Sequence, residues 1–325
     1  MKSNKTLEYY GFNESNLISK IKGGNSFIYK CRTSEGSYVG LKEYLGDYSR
    51  CVRSMEREVD SLNFLYENKF IFISKLIAFN RSKPSICYEW IEGKTPEINS
   101  MVKNQVISAL VNLNSLHELN PNFHLAIDAI SNPGDLKKQI TRRLLNAKIF
   151  LKNHPVTLKA LEKAASIKNK NLESYTDFPI NTFSFSDIGV HNMVMNSKFE
   201  SYFLDFEFFG ADSKIKMLCD LYAHPKTIFS KDEILILARK LLLTEYELNC
   251  IVNVLPEIAL KWALITSRRI SNKILVNNES ISPSLNQINL FLDYSRFLRE
   301  NKTLDEVLTF PEFKKMQQYA GELPI

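Results

Sequence analysis

The sequence predicts an α+β fold in two lobes: a small antiparallel β-sheet lobe with one helix, then a larger, mainly helical lobe. Three observations carry this. Residues 17–45 alternate apolar and polar positions around turn signals, the pattern of half-buried strands. Residues 50–67, RCVRSMEREVDSLNFLYE, switch to a helical period, with Met55, Val59 and Leu62 on one side. A break at Glu92-Gly93-Lys94-Thr95-Pro96 then precedes a long run of helical signals. The expected division is 1–93 for the β-rich lobe and 94–325 for the helical lobe, with a ligand cleft between them.

Each element follows from local chemistry. Strands are expected over 17–22, 26–32 and 37–45, with Ser34-Glu35-Gly36 turning the chain between the last two. Two more strands follow, near 72–80 and 85–91. Helical spacing of Val106, Leu110, Leu113 and His117 predicts a helix over 104–118. Asn132-Pro133-Gly134-Asp135 starts a basic helix that runs to about residue 152. Another helix is expected over 156–168, and short β-like runs over 180–210. Ser230 and Glu233 form a capping-box start for a helix over 231–243. Two long helices are expected over 255–276 and 283–299.

Bulk composition excludes several classes. The 325 residues are 44% hydrophobic and 24% charged, which suits a globular protein large enough for two lobes. The N-terminal MKSNKTLEYYGF lacks the apolar core of a signal peptide. The most apolar run, 70–79, is interrupted by Ser74 and Lys75 and is too short to span a bilayer. The expectation is a cytoplasmic protein with no membrane span, a monomer or homodimer. Five scattered cysteines without a C-x-x-C pair argue against a disulfide framework and a structural zinc site. They read as small buried apolar residues. A net charge of +6 fits binding of small anions such as nucleotides. No basic stretch carries the interleaved aromatics of a nucleic-acid binder.

The informative stretch is SFSDIGVHNMVM, residues 184–195, followed by FLDFEFFG from Phe203. Asp187, Asn192, Asp205 and Glu207 sit beside residues that want burial, and buried carboxylates are costly unless paired or bound to a cation. Upstream, Gly23, Gly24, Asn25 and Ser26 lie between two strands, where bare backbone can approach phosphate oxygens; a plain hairpin turn would look the same. On the strand YVGLKEY, Gly40 and Lys42 share one face, so the lysine can pair with phosphate while the glycine leaves space for a flat ring. Glu58, next to the buried side of the following helix, is the candidate partner of Lys42; Glu56 lies further around the helix. Phosphoryl transfer needs a base, hard oxygen ligands for Mg²⁺ and donors around the phosphates. Asp187 can supply the base, and Asn192 with Asp205 can hold the metal.

In order and spacing, GGNSFIYK, YVGLKEY, REVDSLNFL, SDIGVHN and LDFEFFG resemble the aminoglycoside phosphotransferase and choline kinase superfamily, which has a protein-kinase-like bilobal fold. There a glycine-rich turn, a strand lysine and a helix glutamate precede an H-G-D-x-x-x-x-N loop and an I-D-(F/W)-E segment. The resemblance covers roughly residues 18–225. It is closest to bacterial phosphotransferases that share S-D-x-G-x-H-N and L-D-F-E-(Y/F)-F-G and have no assigned acceptor. It implies an ATP- and Mg²⁺-dependent kinase acting on a small-molecule hydroxyl. Lys42, paired to Glu58, would contact the nucleotide phosphates. Glu89, Trp90 and Ile91 fall where the family's hinge binds adenine through its backbone. Asp187 would be the catalytic base, and Asn192 and Asp205 the metal ligands. Glu207 would assist the metal site or the acceptor, and Asp220 would brace the catalytic loop. One departure stands out: Phe185-Ser186 replaces the family's His-Gly. His191 falls at a variable position and reads as a hydrogen-bonded loop residue.

For the acceptor, the late helix EIALKWALITSRRI carries Lys261, Trp262, Arg268 and Arg269, and Lys137, Lys138, Arg142 and Arg143 form a second basic segment. These read as solvated helix faces or as a surface for a neutral or anionic acceptor such as a sugar or related metabolite. The alternatives are a nucleotide-binding pseudokinase scaffold, raised by Phe185-Ser186, and an aminoglycoside-type antibiotic phosphotransferase.

Overall fold

Strand alternation in the first 95 residues produces a five-stranded antiparallel sheet. The computed structural model describes residues 5–167, 169–225, 229–276, 282–300 and 303–308. A short helix, α1 (Lys5–Tyr9), precedes β1 (Leu17–Lys22), β2 (Ser26–Arg32) and β3 (Tyr38–Tyr44). Helix α2 (Tyr48–Glu67) follows, capped by Asp47, whose side chain accepts the Arg50 N–H. Strands β4 (Leu76–Asn80) and β5 (Ser85–Glu89) complete the sheet, in the order β1-β2-β3-β5-β4. The strand expected from residue 72 begins only at Leu76; upstream, Ile73 makes an isolated bridge to Phe203 instead.

The sheet faces divide as the alternation of β3 requires. Val39 and Leu41 join Leu7, Tyr29, Cys31 and Cys87 in a buried cluster. Each such side chain contributes roughly 1.5–3 kcal/mol through burial. Gly40, Lys42 and Tyr44 occupy the other face. Helix α1, which the sequence reading did not predict, supplies Leu7 to the cluster.

The remaining helices are α3 (Ser100–Leu119), α4 (Pro133–Phe150), α5 (Pro155–Ser166), α6 (Lys170–Glu173), α7 (Lys214–Ala223), α8 (Lys231–Lys240), α9 (Glu245–Val276), α10 (Ser282–Glu300) and α11 (Leu304–Val307). Asn132 caps α4 through the Asp135 N–H, and Ser230 and Glu233 form the expected capping box on α8. Helix α9 starts ten residues before the predicted position. Pro256 lies inside it and removes one intrahelical donor, which made the sequence look like a helix start. The Ser295 hydroxyl donates to the Pro256 carbonyl at 2.8 Å. Part of α9, Glu245–Arg268, is long and apolar enough to cross a membrane, but most of it is buried against the rest of the protein, as in a core helix. Between α6 and α7 lie β6 (Thr182–Ser184), β7 (Met193–Met195), β8 (Ser201–Phe203) and β9 (Gly210–Asp212). These pair as β6 with β9 and β7 with β8. All five cysteines are buried and none is disulfide-bonded.

The described chain forms two compact units. One comprises residues 5–105 with 190–210; the other comprises 106–189 with 211–308. Residues 94–105 and the β7–β8 hairpin thus group with the five-stranded sheet.

Candidate active site

Within the sheet-containing unit, β3 and α2 converge on one buried ammonium. Lys42 Nζ lies 2.5 Å from Glu58 Oε2 and 2.8 Å from Asp205 Oδ1. Helix α2 presents Glu58 from its buried side, as expected, while Glu56 is on the surface with Arg81. The Tyr44 hydroxyl donates to the same Glu58 oxygen at 2.5 Å. Tyr44 was not singled out from the sequence, although it shares the face of Gly40 and Lys42.

The segment after β8 reaches this cluster through backbone anchors. Leu204 N–H donates to the Asn192 carbonyl at 2.8 Å, joining the chain near the two predicted metal ligands. Asn192 closes a 3-10 turn, Val190–Asn192, that also contains His191. Asp205 itself takes φ +65°, a left-handed conformation unusual for a non-glycine residue. Arg57 donates to the carbonyls of Glu207 and Phe209, tying this segment to α2. Asn25, in the glycine turn, donates to Glu207 Oε1 at 2.5 Å. Glu207 is buried, with Ser54 as a second hydrogen-bonding neighbour beside Asn25.

Electrostatics mark this cluster as short of positive charge. Burial alone would lower the Lys42 pKa, but Asp205, Glu58 and Glu207 outweigh it and raise it. Burial pushes the Glu58 carboxyl up against the pull of Lys42. Burial and the neighbouring Asp205 push Glu207 up. Two carboxylates thus pair with one lysine, and Glu207 adds a third negative charge nearby. That donor set fits a hard divalent cation such as Mg²⁺. Asp205, whose side chain is 31% exposed, would be the accessible ligand, with Asn192 beside it in the chain path and Glu207 behind.

Gly23 and Gly24 have no left-handed φ. Gly23 N–H donates to the Ser26 carbonyl at 2.8 Å, closing the turn. A Cβ on Gly24 would meet nothing within 4 Å, so the turn presents bare backbone. At Gly40 the expected space for a flat ring is filled from within the chain. A Cβ there would lie 2.4 Å from Tyr88 Cε2, because the Tyr88 ring of β5 packs on the glycine. Beyond β5, Glu89 N–H donates to Lys75 and Trp90 N–H to Tyr38. The Ser74 hydroxyl donates to the Glu89 carbonyl, which keeps a second lone pair. The Glu89 and Trp90 N–H groups are thus both committed within the chain.

The helical unit carries Asp187, on the loop after β6. Phe185 is buried. Ser186 takes φ +61°, a conformation that glycine adopts without strain. The Ser186 N–H donates to Ser184 Oγ at 3.0 Å. Asp187 Oδ1 lies 3.0 Å from His224 Nε2. The imidazole is 3% exposed and the aspartate side chain 38%. His224 was not singled out from the sequence; its only signal is its place in MLCDLYAHP, four residues after Asp220.

Asp220 pairs with Lys216 and Lys261, each at 2.8 Å, and Lys216 pairs with Asp212 at 2.7 Å. Burial raises the Asp220 pKa, but Lys216 and Lys261 outweigh it and hold it below the usual range. This network locks α7 to α9, and His224 stands one turn beyond it. Lys261 and Trp262 are accordingly buried and present no surface for an acceptor. Arg142 and Arg143 pair with Asp128. The Arg269 side chain lies outside the described ones.

No family model matches the sequence, and no curated protein matches it. Solved structures do match in fold. A spectinomycin phosphotransferase in its AMP-bound complex superposes with TM-score 0.59 at 12% identity, covering 96% of this chain and 99% of the other. An ethanolamine kinase from Plasmodium vivax gives TM-score 0.57 at 15% identity, covering 93% and 84%. A choline kinase from Streptococcus pneumoniae gives 0.54 at 12% identity, covering 86% and 94%. The fold is therefore the kinase-like α+β fold that the sequence resemblance implied.

Proposed function

We propose that the protein is an ATP- and Mg²⁺-dependent phosphotransferase that moves the γ-phosphoryl group to a hydroxyl of a small molecule. The observation that carries this reading is the buried Lys42 ammonium shared by Glu58 and Asp205, beside the buried carboxylate of Glu207. A structural ion pair needs one carboxylate per lysine; three around one lysine suit a cluster that completes itself with a divalent cation and polyphosphate. When bound, Mg²⁺ supplies charge neutralisation on the phosphates.

The residues then take distinct roles, with nucleotide binding assigned to residues 1–93 and catalysis and acceptor binding to 94–325. Gly23 closes the turn through its N–H, and Gly24, Asn25 and Ser26 cover the phosphates with their backbone. Lys42, held in place by Glu58, pairs with phosphate oxygens. Glu89, Trp90 and Ile91 hold the base by their backbone. Asn192 and Asp205 hold the metal, with Glu207 in support. Asp187 takes the acceptor's proton or orients its hydroxyl. Of the cations counted in the sequence on α4 and α9, Arg142 and Arg143 are paired with Asp128 and Lys261 with Asp220. They give no reason to favour an anionic acceptor, and a neutral polyol, a sugar or related metabolite, is the class to test first.

The test is incubation of purified protein with Mg·ATP and a panel of sugars, amino alcohols and aminoglycosides, reading phosphorylated product by mass. A phosphorylated sugar supports the reading in full. A phosphorylated aminoglycoside supports the reaction and overturns the acceptor class. Mg²⁺-dependent ATP binding with no product from the panel or from cell extracts identifies a scaffold and overturns the reading.

A further inference from the structure

We propose that His224 is a positioning residue for Asp187, which replaces from α7 the support that a histidine two residues before the aspartate could have given. The inference rests on the reading of Asp187 as the proton acceptor. Its basis is one contact and the way that contact is held.

His224 Nε2 lies 3.0 Å from Asp187 Oδ1. An ionised carboxylate only accepts hydrogen bonds, so the pairing requires the proton on Nε2. His224 is the C-cap residue of α7, where the helix dipole favours an N–H donor or a cation. The imidazole cannot drift. It is buried, and Trp262 of α9 meets it edge-on, with ring centroids 4.9 Å apart and planes at 84°. One turn earlier, Asp220 fixes the helix through Lys216 and Lys261.

Asp187 has the opposite character. Its side chain is 38% exposed, on a loop whose preceding residue is left-handed. A carboxylate in that setting loses rotamer freedom when one oxygen is tied to a rigid donor. Holding Oδ1 fixes the orientation in which the carboxylate meets the acceptor proton, the arrangement of a base oriented by a third group. No bond to His224 forms or breaks, and its proton stays on Nε2.

The sequence explains why this was hard to see. His224 is 37 residues beyond Asp187 and lies in a helix that reads as core. Phe185 occupies the position where the family's histidine would be sought.

The experiment compares His224→Leu, His224→Gln and Asp187→Asn with the wild type. Initial ADP release from Mg·ATP is measured with the panel above, alongside thermal melting. Gln places a side-chain N–H near the position of Nε2, whereas Leu fills the volume without a donor. The expected result is a kcat about 10- to 100-fold lower in His224→Leu with an unchanged KM for ATP, and substantial recovery in His224→Gln at equal melting temperature. Full kcat in His224→Leu with an inactive Asp187→Asn overturns the positioning role and leaves the base assignment standing. Full kcat in Asp187→Asn overturns the base assignment itself. Should His224→Leu fail to fold, ¹⁵N-histidine NMR of the wild type and Asp187→Ala, which removes the acceptor oxygen, decides the matter. A protected Nε2–H signal of His224 that is lost in Asp187→Ala supports the pairing, and a signal unchanged by that substitution overturns it.

Discussion

Lys42 and Glu58 form a buried ion pair, Nζ to Oε2 at 2.5 Å, with side chains 5% and 4% exposed. Removing one partner leaves an uncompensated charge that burial penalises strongly. Lys42→Met is expected to cost about 3–5 kcal/mol of stability. Adding Glu58→Gln to it restores part of that, because the remaining buried group is then neutral. Urea denaturation of the single and double variants checks the sign of the coupling.

The carboxylate cluster predicts a pH-dependent response to Mg²⁺. Glu58 and Glu207 have folded pKa values above 4.5, raised chiefly by burial. Each binds its proton more tightly folded than unfolded, so these two groups make stability fall as pH rises from 4.5 through the folded values. A cation can replace the proton once the groups ionise. Mg²⁺ is therefore expected to raise the melting temperature more at about pH 8 than at about pH 5. Glu207→Gln should weaken that difference; melting curves over a pH series with and without Mg²⁺ measure it.

The β-sheet lobe was legible in the sequence because period-two alternation and turn residues act locally. Lys42 and Glu58 were found the same way, from one strand face and one helix face. What escaped was non-local. The Tyr88 ring that fills the space over Gly40 comes from a neighbouring strand, and only the β3–β5 pairing brings them together. Tyr44 on Glu58 and His224 on Asp187 are likewise contacts that no window of sequence contains. The partners of Arg143 and Lys261, Asp128 and Asp220, likewise lie in other elements. Helix α9 was shortened because Pro256 gave a stronger local signal than the packing that overrides it.

Gly40 should not tolerate a side chain while Tyr88 is present. A Cβ would stand 2.4 Å from the ring, too close for any rotation of that ring about its own axis to relieve. Gly40→Ala is expected to cost about 1–3 kcal/mol, as overpacking does. Tyr88→Val in the same chain should recover most of it, and thermal melting of the pair tests this.

Ser186 carries strain that glycine would remove. Its φ is +61°, and its hydroxyl is buried without a hydrogen-bond partner among the described residues. Ser186→Gly is expected to stabilise the protein by about 1 kcal/mol. Equilibrium unfolding gives the number, and an unchanged or lowered stability would mean that the serine is bonded in a way this backbone does not reveal.

The most direct test of the account is the rate of phosphoryl transfer from Mg·ATP to an accepted hydroxyl compound in the wild type and in Asp187→Asn, at equal folded fraction. A positioned base contributes about 10²–10⁴-fold, so the variant is expected to lose at least that much in kcat while still binding Mg·ATP. Transfer by Asp187→Asn at the wild-type rate would contradict the role given to Asp187 and the mechanism built on it.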